Sequence, residues 1–468
     1  MRLRRATGLL LGAAAFIALQ LIDGPPNLPP AGWEAASVGV LMAVWWISEA
    51  LPLSATALVP LVAFPLLGVL SVREAAVPYA NPVILLMVGG FILALGMQRW
   101  NLHKRIALGI VARMGSRPPR IVAGFMLATA LISMWVFNTT TTVMMLPIAL
   151  SVIEFVRGQS ARTTTGEQGN FAIALLIGIA YAATIGGMGT LIGTAPNAML
   201  AGFMEETYGF DVSFASWMLV GIPSIALMLP LSWWILVRWA YPLSTADVPG
   251  QQAAIEAELQ GLGPMARGER VVMAIVGVTA LLWIFRPALE RAVPAIPLND
   301  TSIALLGALL LFVTPVEPKR GVFALDGDWA RDLPWGVVIL FGGGLALATG
   351  INSSGLAGWI GSGASQLGAW PTVAVVFAVV VVMVFLTEVT SNTAMTATFL
   401  PVAGAVAYAM GENPLMLIFP TVLAASCAFM MPVATPPNAV VFASGELRIG
   451  DFIRAGIFGN LVGICVTM

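Results

Sequence analysis

Long, nearly uncharged apolar runs recur from one end of this chain to the other, and they constrain its fold more than any other feature. A membrane-crossing helix needs about 20 mostly apolar residues. Such helices are expected near 7–22, 33–50, 53–70, 82–98, 171–193, 214–239, 271–292, 301–315, 334–350, 415–431 and 453–468. Only 10% of the 468 residues are charged, against roughly a quarter in soluble domains. That excludes a water-soluble enzyme, a disordered chain and a disulfide scaffold. The implied fold class is an all-α polytopic membrane protein.

Two further apolar pairs, 121–136 with 140–156 and 372–388 with 394–410, are each interrupted by a polar run. Each member is short for a full crossing, so each pair reads as a re-entrant hairpin. The expected layout is about 11 transmembrane helices plus two re-entrant hairpins. The first segment follows Arg2, Arg4 and Arg5 and reads as an uncleaved helix rather than a signal peptide.

Lys and Arg test the layout, because they gather on the cytoplasmic side. With the N-terminus in the cytoplasm, 19 of the 22 basic residues, Arg162 among them, fall inside; Arg73, Arg286 and Arg291 fall outside. An inner (plasma) membrane location follows. Residues 99–120 read as a basic amphipathic helix on the inner surface, and 244–268 as a cytoplasmic linker. A net charge of −1 gives no reason to expect nucleic acid as a partner. Cys427 and Cys465 lie in apolar runs and read as buried small hydrophobes. The single histidine, His103, stands beside Lys104 and Arg105 and reads as a solvated surface residue. One histidine also excludes a zinc protease that needs two on one helix. No organic cofactor is implied.

The chain repeats itself. Gly89-Gly90 and Gly343-Gly344 lie 254 residues apart, as do Ala94 and Ala348, Asn138-Thr139 and Asn392-Thr393, Thr142 and Thr396, and Pro147 and Pro401. Thr194-Ala195-Pro196-Asn197 and Thr435-Pro436-Pro437-Asn438 match at an offset of 241. The layout puts the two hairpins on opposite sides, so the repeat reads as inverted. Inverted repeats with interrupted helices mark secondary transporters, with the site near the midplane.

The polar runs carry the chemistry. The hairpin tips are Phe137-Asn138-Thr139-Thr140-Thr141-Thr142 and Ser391-Asn392-Thr393-Ala394-Met395-Thr396. Irregular backbone at membrane depth is tolerated only where it lines a cavity. The helix N-terminus at each tip favours an anion, and Asn and Thr oxygens suit a hard cation such as sodium. The runs around Gly193 to Asn197 and Ala434 to Asn438 read as helices broken in the membrane and restarted with proline. Glu49 and Glu388 are the acids deepest in apolar sequence. Glu49 reads as sitting at a helix end, and Glu388 either orients the second tip or handles a cation or proton. Trp45, Trp46, Trp233, Trp234 and Trp239 fit packing or interfacial belts.

Taken together, Ser391-Asn392-Thr393, the run from Met134 to Pro147, the two broken-helix runs and the stretch from Gly89-Gly90 to Arg105 resemble the divalent anion/sodium symporter family of dicarboxylate and citrate carriers. The resemblance covers nearly the whole chain. It implies a homodimer working as an elevator, with a scaffold (1–120 and 269–370) and a moving transport part (121–243 and 371–468). It further implies a first sodium site at Ser133, Asn138 and Gly193, and a second at Thr387, Thr390, Asn392 and Ala434. Substrate carboxylates would meet Asn138, Thr139, Ser391, Asn392 and Thr393, with Pro436 beside them. Phe137 departs from the family, which usually has Ser there; a hydroxyl is lost and bulk is gained.

The leading reading is sodium-coupled symport of a C4-dicarboxylate such as succinate, malate or fumarate. Sodium-independent dicarboxylate exchange, and symport of another anion such as citrate or sulfate, stay open beside it. An intramembrane hydrolase fails on the lone His103, and a channel fails because the tips would plug it.

Overall fold

A computed structural model of the chain describes residues 2–158, 165–246, 251–293, 298–364 and 370–468. Arg162 and the linker positions 247–250 lie outside the described residues. The described chain is mostly helical; its one sheet is a two-stranded ribbon, Pro315–Glu317 with Val322–Phe323. Each of the eleven expected crossings contains helix. Among the described residues, seven helices are long and apolar enough to cross a membrane by length and composition, and six more are apolar but shorter.

The differences from the sequence reading have local causes. The expected helix 53–70 is two helices, Leu53–Thr56 and Val59–Leu66. Pro60, in the first turn of the second piece, has no N–H to continue a ladder. The helices expected over 171–193 and 415–431 stop at Gly187 and Ala425, leaving irregular chain before short restarts at Ala195 and Pro436. The second arm of the first hairpin is longer than expected and runs Asn138–Gly158. The linker contains a helix, Gln251–Gly261, that packs on the helix Leu102–Arg113. Its far end is fastened by Arg105, whose guanidinium grips Glu269 at 2.9 and 3.1 Å and reaches the carbonyls of Leu262 and Gly263.

Two side chains expected in one environment occupy another. His103 is buried, not solvated, and its Nδ1 lies 3.2 Å from the Met97 carbonyl. Successive helix residues are turned by about 100°, so Lys104 and Arg105 point elsewhere while His103 shares its face with buried Ala107 and Val111. Burial pulls the imidazole below the usual histidine range. Cys427 is buried as expected, but Cys465 is exposed. It follows Ile457 and Leu461 at a spacing of four along Ile449–Thr467, on an apolar outer stripe that is also exposed.

Glycine sets how closely the repeats pack. A Cβ on Gly89 would stand 2.7 Å from the Ala304 Cβ, and one on Gly343 would stand 2.3 Å from the Ala57 carbonyl oxygen. Helix Pro82–Arg99 therefore lies directly on Asp300–Val313, and Trp335–Ser353 lies directly on the start of the third predicted segment.

Candidate functional site

Each hairpin turns through a break of four residues. The first arm Pro118–Ser133 is followed by Asn138–Gly158, and Thr372–Thr387 is followed by Asn392–Ala409. The two breaks share one hydrogen-bond pattern. Ser133 Oγ contacts Asn138 Oδ1 at 2.7 Å and the Ala183 carbonyl at 2.8 Å. Thr387 Oγ1 contacts Asn392 Oδ1 at 2.7 Å and the Ala425 carbonyl at 2.8 Å. One turn on, Thr142 and Thr396 each donate to the carbonyl of the tip asparagine at 2.9 Å.

The broken helices match in the same way. Asn197 Nδ2 donates to the carbonyls of Gly187 and Thr190 at 3.0 and 2.7 Å, and Asn438 Nδ2 to those of Ala428 and Met431 at 3.3 and 3.0 Å. Gly187 ends its helix, and Thr190, Ala428 and Met431 lie in the irregular chain that follows each helix end. The opposite side of each amide is less complete: Asn197 Oδ1 and Asn438 Oδ1 are buried without a donor.

The struts from hairpin to break use different chemistry in the two copies. In the first, Thr190 Oγ1 donates to the Met134 carbonyl at 2.5 Å. In the second, Glu388 takes the place of Met134. Its Oε1 accepts from the N–H groups of Phe429 and Met430 at 2.7 and 2.9 Å and from Asn460 Nδ2 at 2.8 Å, while its Oε2 accepts from Met431 N–H at 2.9 Å. Three of these four bonds fasten the broken segment at 429–431, and the fourth ties it to Asn460 of the last helix, Ile449–Thr467.

Between the tips and the restarts lies a cavity of about 410 Å³. Of the residues expected at the site, Asn138, Thr139, Thr390, Ser391, Asn392, Thr393, Ala434 and Pro436 line it. Ser133, Gly193 and Thr387 do not; they are buried behind the lining. Thr390 turns its hydroxyl back to the Leu386 carbonyl at 2.8 Å, inside its own hairpin arm. Thr184 and Ser426 also line the cavity, and the carbonyls of Ala183 and Ala425 stand behind them. Sequence reading missed these four. A backbone oxygen has no residue signature, although the offset of 242 between each pair was available as a signal. Helices start at the wall at Asn138, Asn392, Ala195 and Pro436, which brings the partial positive charge of four N-termini to it.

The side-chain amide of Asn138 sits among three oxygens. Its amide oxygen lies 2.7 Å from Ser133 Oγ and 3.1 Å from each of the Gly193 and Ala183 carbonyl oxygens. In that orientation the amide oxygen faces acceptors alone, with one hydroxyl proton among four oxygens. Turned over, the amide would present Nδ2 to the same three oxygens and satisfy them without an ion. Phe137, whose counterpart in the second tip is Ser391, contributes no oxygen; its ring packs edge-on against Phe91 with centroids 5.9 Å apart.

The cavity wall is not neutral. Glu49 lines it, at the expected helix end, and is its one charged residue. No Lys or Arg joins it there.

Residues 3–468 match the family described as the sodium:sulfate symporter transmembrane region. The chain is 40% identical over 465 residues to a sodium-dependent dicarboxylate transporter, SdcS, of Staphylococcus saprophyticus, covering 98% of this chain and 89% of that one. It is 41% identical over 466 residues to SdcS of Staphylococcus aureus strain bovine RF122, with the same coverage. Among solved structures, the Alcanivorax borkumensis YdaH transporter aligns with a TM-score of 0.58 at 16% identity, over 92% of this chain and 96% of that one. Neisseria gonorrhoeae MtrF, of a class of antimetabolite efflux pumps, aligns at 0.55 and 12% identity, over 97% and 96%. At such identities these two speak to the fold alone.

Proposed function

Because this chain belongs to the sodium:sulfate symporter family, a family of membrane transporters and not of enzymes, we propose that it carries a C4-dicarboxylate across the membrane together with sodium. The names of the relatives, sodium-dependent dicarboxylate transporters, support the cargo and the coupling ion. The observation that carries the reading is the anion-sized cavity without Lys or Arg, flanked by two matched oxygen clusters. A dianion there needs counter-charge, and helix N-termini supply only part of it.

In this reading one sodium sits among Ser133, Asn138 and Gly193 with the Ala183 carbonyl. The other sits among Thr387, Thr390, Asn392 and Ala434 with the Ala425 carbonyl. Thr390 joins only if its hydroxyl leaves Leu386. The substrate carboxylates meet Asn138 and Thr139 at one tip, Ser391, Asn392 and Thr393 at the other, and Pro436 at a restart. The bound cations cancel the charge of the dianion, so sodium tightens the anion and the anion tightens sodium by the same factor.

The scaffold (1–120 and 269–370), the linker 244–268 and the transport part (121–243 and 371–468) form an inverted repeat of about eleven crossings and two hairpins. The transport part moves as an elevator within a homodimer in the plasma membrane, N-terminus inside. The test is thermal stabilisation of the purified protein by succinate, malate, fumarate, citrate and sulfate, each with sodium and with a potassium control. A true ligand stabilises by mass action. Stabilisation by the C4-dicarboxylates only in sodium is expected; stabilisation by sulfate or citrate alone, or equal effects in potassium, would replace this reading.

A further inference from the structure

We propose that Glu49 is a specificity-determining residue that limits the charge of the cargo, admitting an anion with two carboxylates and repelling one with three; the inference rests on the dicarboxylate reading above. Glu49 is the one charged side chain on the cavity wall, and it has the same sign as the cargo. It is exposed, and no hydrogen bond or ion pair ties its carboxylate to any described residue. A carboxylate left unpaired against an anion site opposes part of the anion's charge, and a repulsive element of that kind is one source of discrimination.

Its position is fixed by backbone. Glu49 ends the helix Pro30–Ser48 in the left-handed region, φ 51° and ψ 39°, and its N–H is spent on the carbonyls of Trp45 and Trp46. That conformation is uncommon for a residue with a long side chain and persists only where the surroundings impose it. The surroundings do so here. Pro52 follows within the turn, and Trp46 Nε1, fully buried, donates to the Leu53 carbonyl at 3.1 Å across it. Glu49 thereby reaches the cavity wall from the turn after the helix Pro30–Ser48, while the tips belong to other elements. Two carboxylates of a cargo engage the tips; a third, projecting away from them, meets Glu49.

The test separates charge from size. Uptake of labelled succinate in sodium is challenged with tricarballylate, which is succinate bearing a third carboxylate arm, and with its monoamide, which has the same shape and two charges. In the unmodified protein the monoamide should inhibit about tenfold better, the order expected for unit charges across a cavity of this width. Glu49→Gln should bring the two inhibitors within about twofold of each other, and Glu49→Asp should retain the discrimination. Equal inhibition in the unmodified protein, or an unchanged ratio in Glu49→Gln, overturns the inference. If Glu49→Gln fails to fold, the unmodified comparison and Glu49→Ala decide it by the same ratios. Failure of succinate itself to be taken up would instead overturn the dicarboxylate reading.

Discussion

Asn138 and Asn392 each close a polar break by placing an amide oxygen on a hydroxyl five residues back, and both the ion and the anion roles proposed above pass through those amides. Asn138→Ala and Asn392→Ala should each lower succinate uptake on the order of 10–100-fold, the usual cost of removing an oriented group at a metal site. Each variant should still elute as a folded protein. Phe137→Ser restores the hydroxyl that the second tip has in Ser391, and should raise apparent sodium affinity several-fold in uptake measured against sodium concentration. An unchanged sodium curve would leave Phe137 as packing against Phe91 alone. Residues of this kind were readable from sequence because Asn and Thr stand out in apolar runs and recur at a fixed offset. The partners of those amides were not all readable: Ala183 and Ala425 act through carbonyls, and any residue has one. His103 misled for a related reason. Neighbours in sequence say little about which face of a helix a side chain shares.

The hairpins and broken helices hold each other through few bonds, and the two copies solve the same problem differently. The first uses a threonine hydroxyl on a carbonyl; the second uses the Glu388 carboxylate on three backbone N–H groups. Gln at 388 keeps one acceptor oxygen and turns an NH2 group toward donors, so Glu388→Gln should cost about 3 kcal/mol of stability, read as a lowered Tm. It should also weaken sodium at the second cluster more than at the first. Glu388 was legible as a deep acid, but its partners were not, since folding brings 429–431 and Asn460 to it from a distance. A second tie joins the elements at the surface. Arg157, at the end of the first hairpin, grips Glu446, beyond the second restart, at 2.9 and 2.5 Å. The guanidinium holds the Glu446 carboxyl below the usual range, so the tie stabilises the fold above the ordinary Glu value near 4.3 and is lost as pH falls through the lowered one. Both groups are partly exposed, so Glu446→Gln should cost only about 1 kcal/mol at neutral pH. The difference in Tm between the two proteins should close in acid.

Across the whole molecule, the repeat seen as an offset in sequence reappears as paired hydrogen bonds of nearly equal length at two breaks and two restarts. That agreement explains how much of the architecture could be read beforehand: polar runs at membrane depth mark backbone departures that line a cavity, whereas Gly89, Gly343, Pro147 and Pro401 lie within helices. The breaks at Gly187 and Ala425 came earlier than hydropathy suggested, because apolar residues continue through chain that is no longer helical. The scarcity of charge also takes on meaning at this scale. Only one charged side chain reaches the cavity, and it is an acid. The dianion proposed above is therefore not neutralised by side chains, and in that proposal bound cations supply the balance. The most direct measurement of that claim is uptake of labelled succinate into proteoliposomes under an inward sodium gradient, compared with the same vesicles in potassium. Uptake above the equilibrium level that collapses without the sodium gradient is the predicted result. Equal uptake in potassium, dependent on dicarboxylate preloaded inside, would contradict it and make the protein an exchanger.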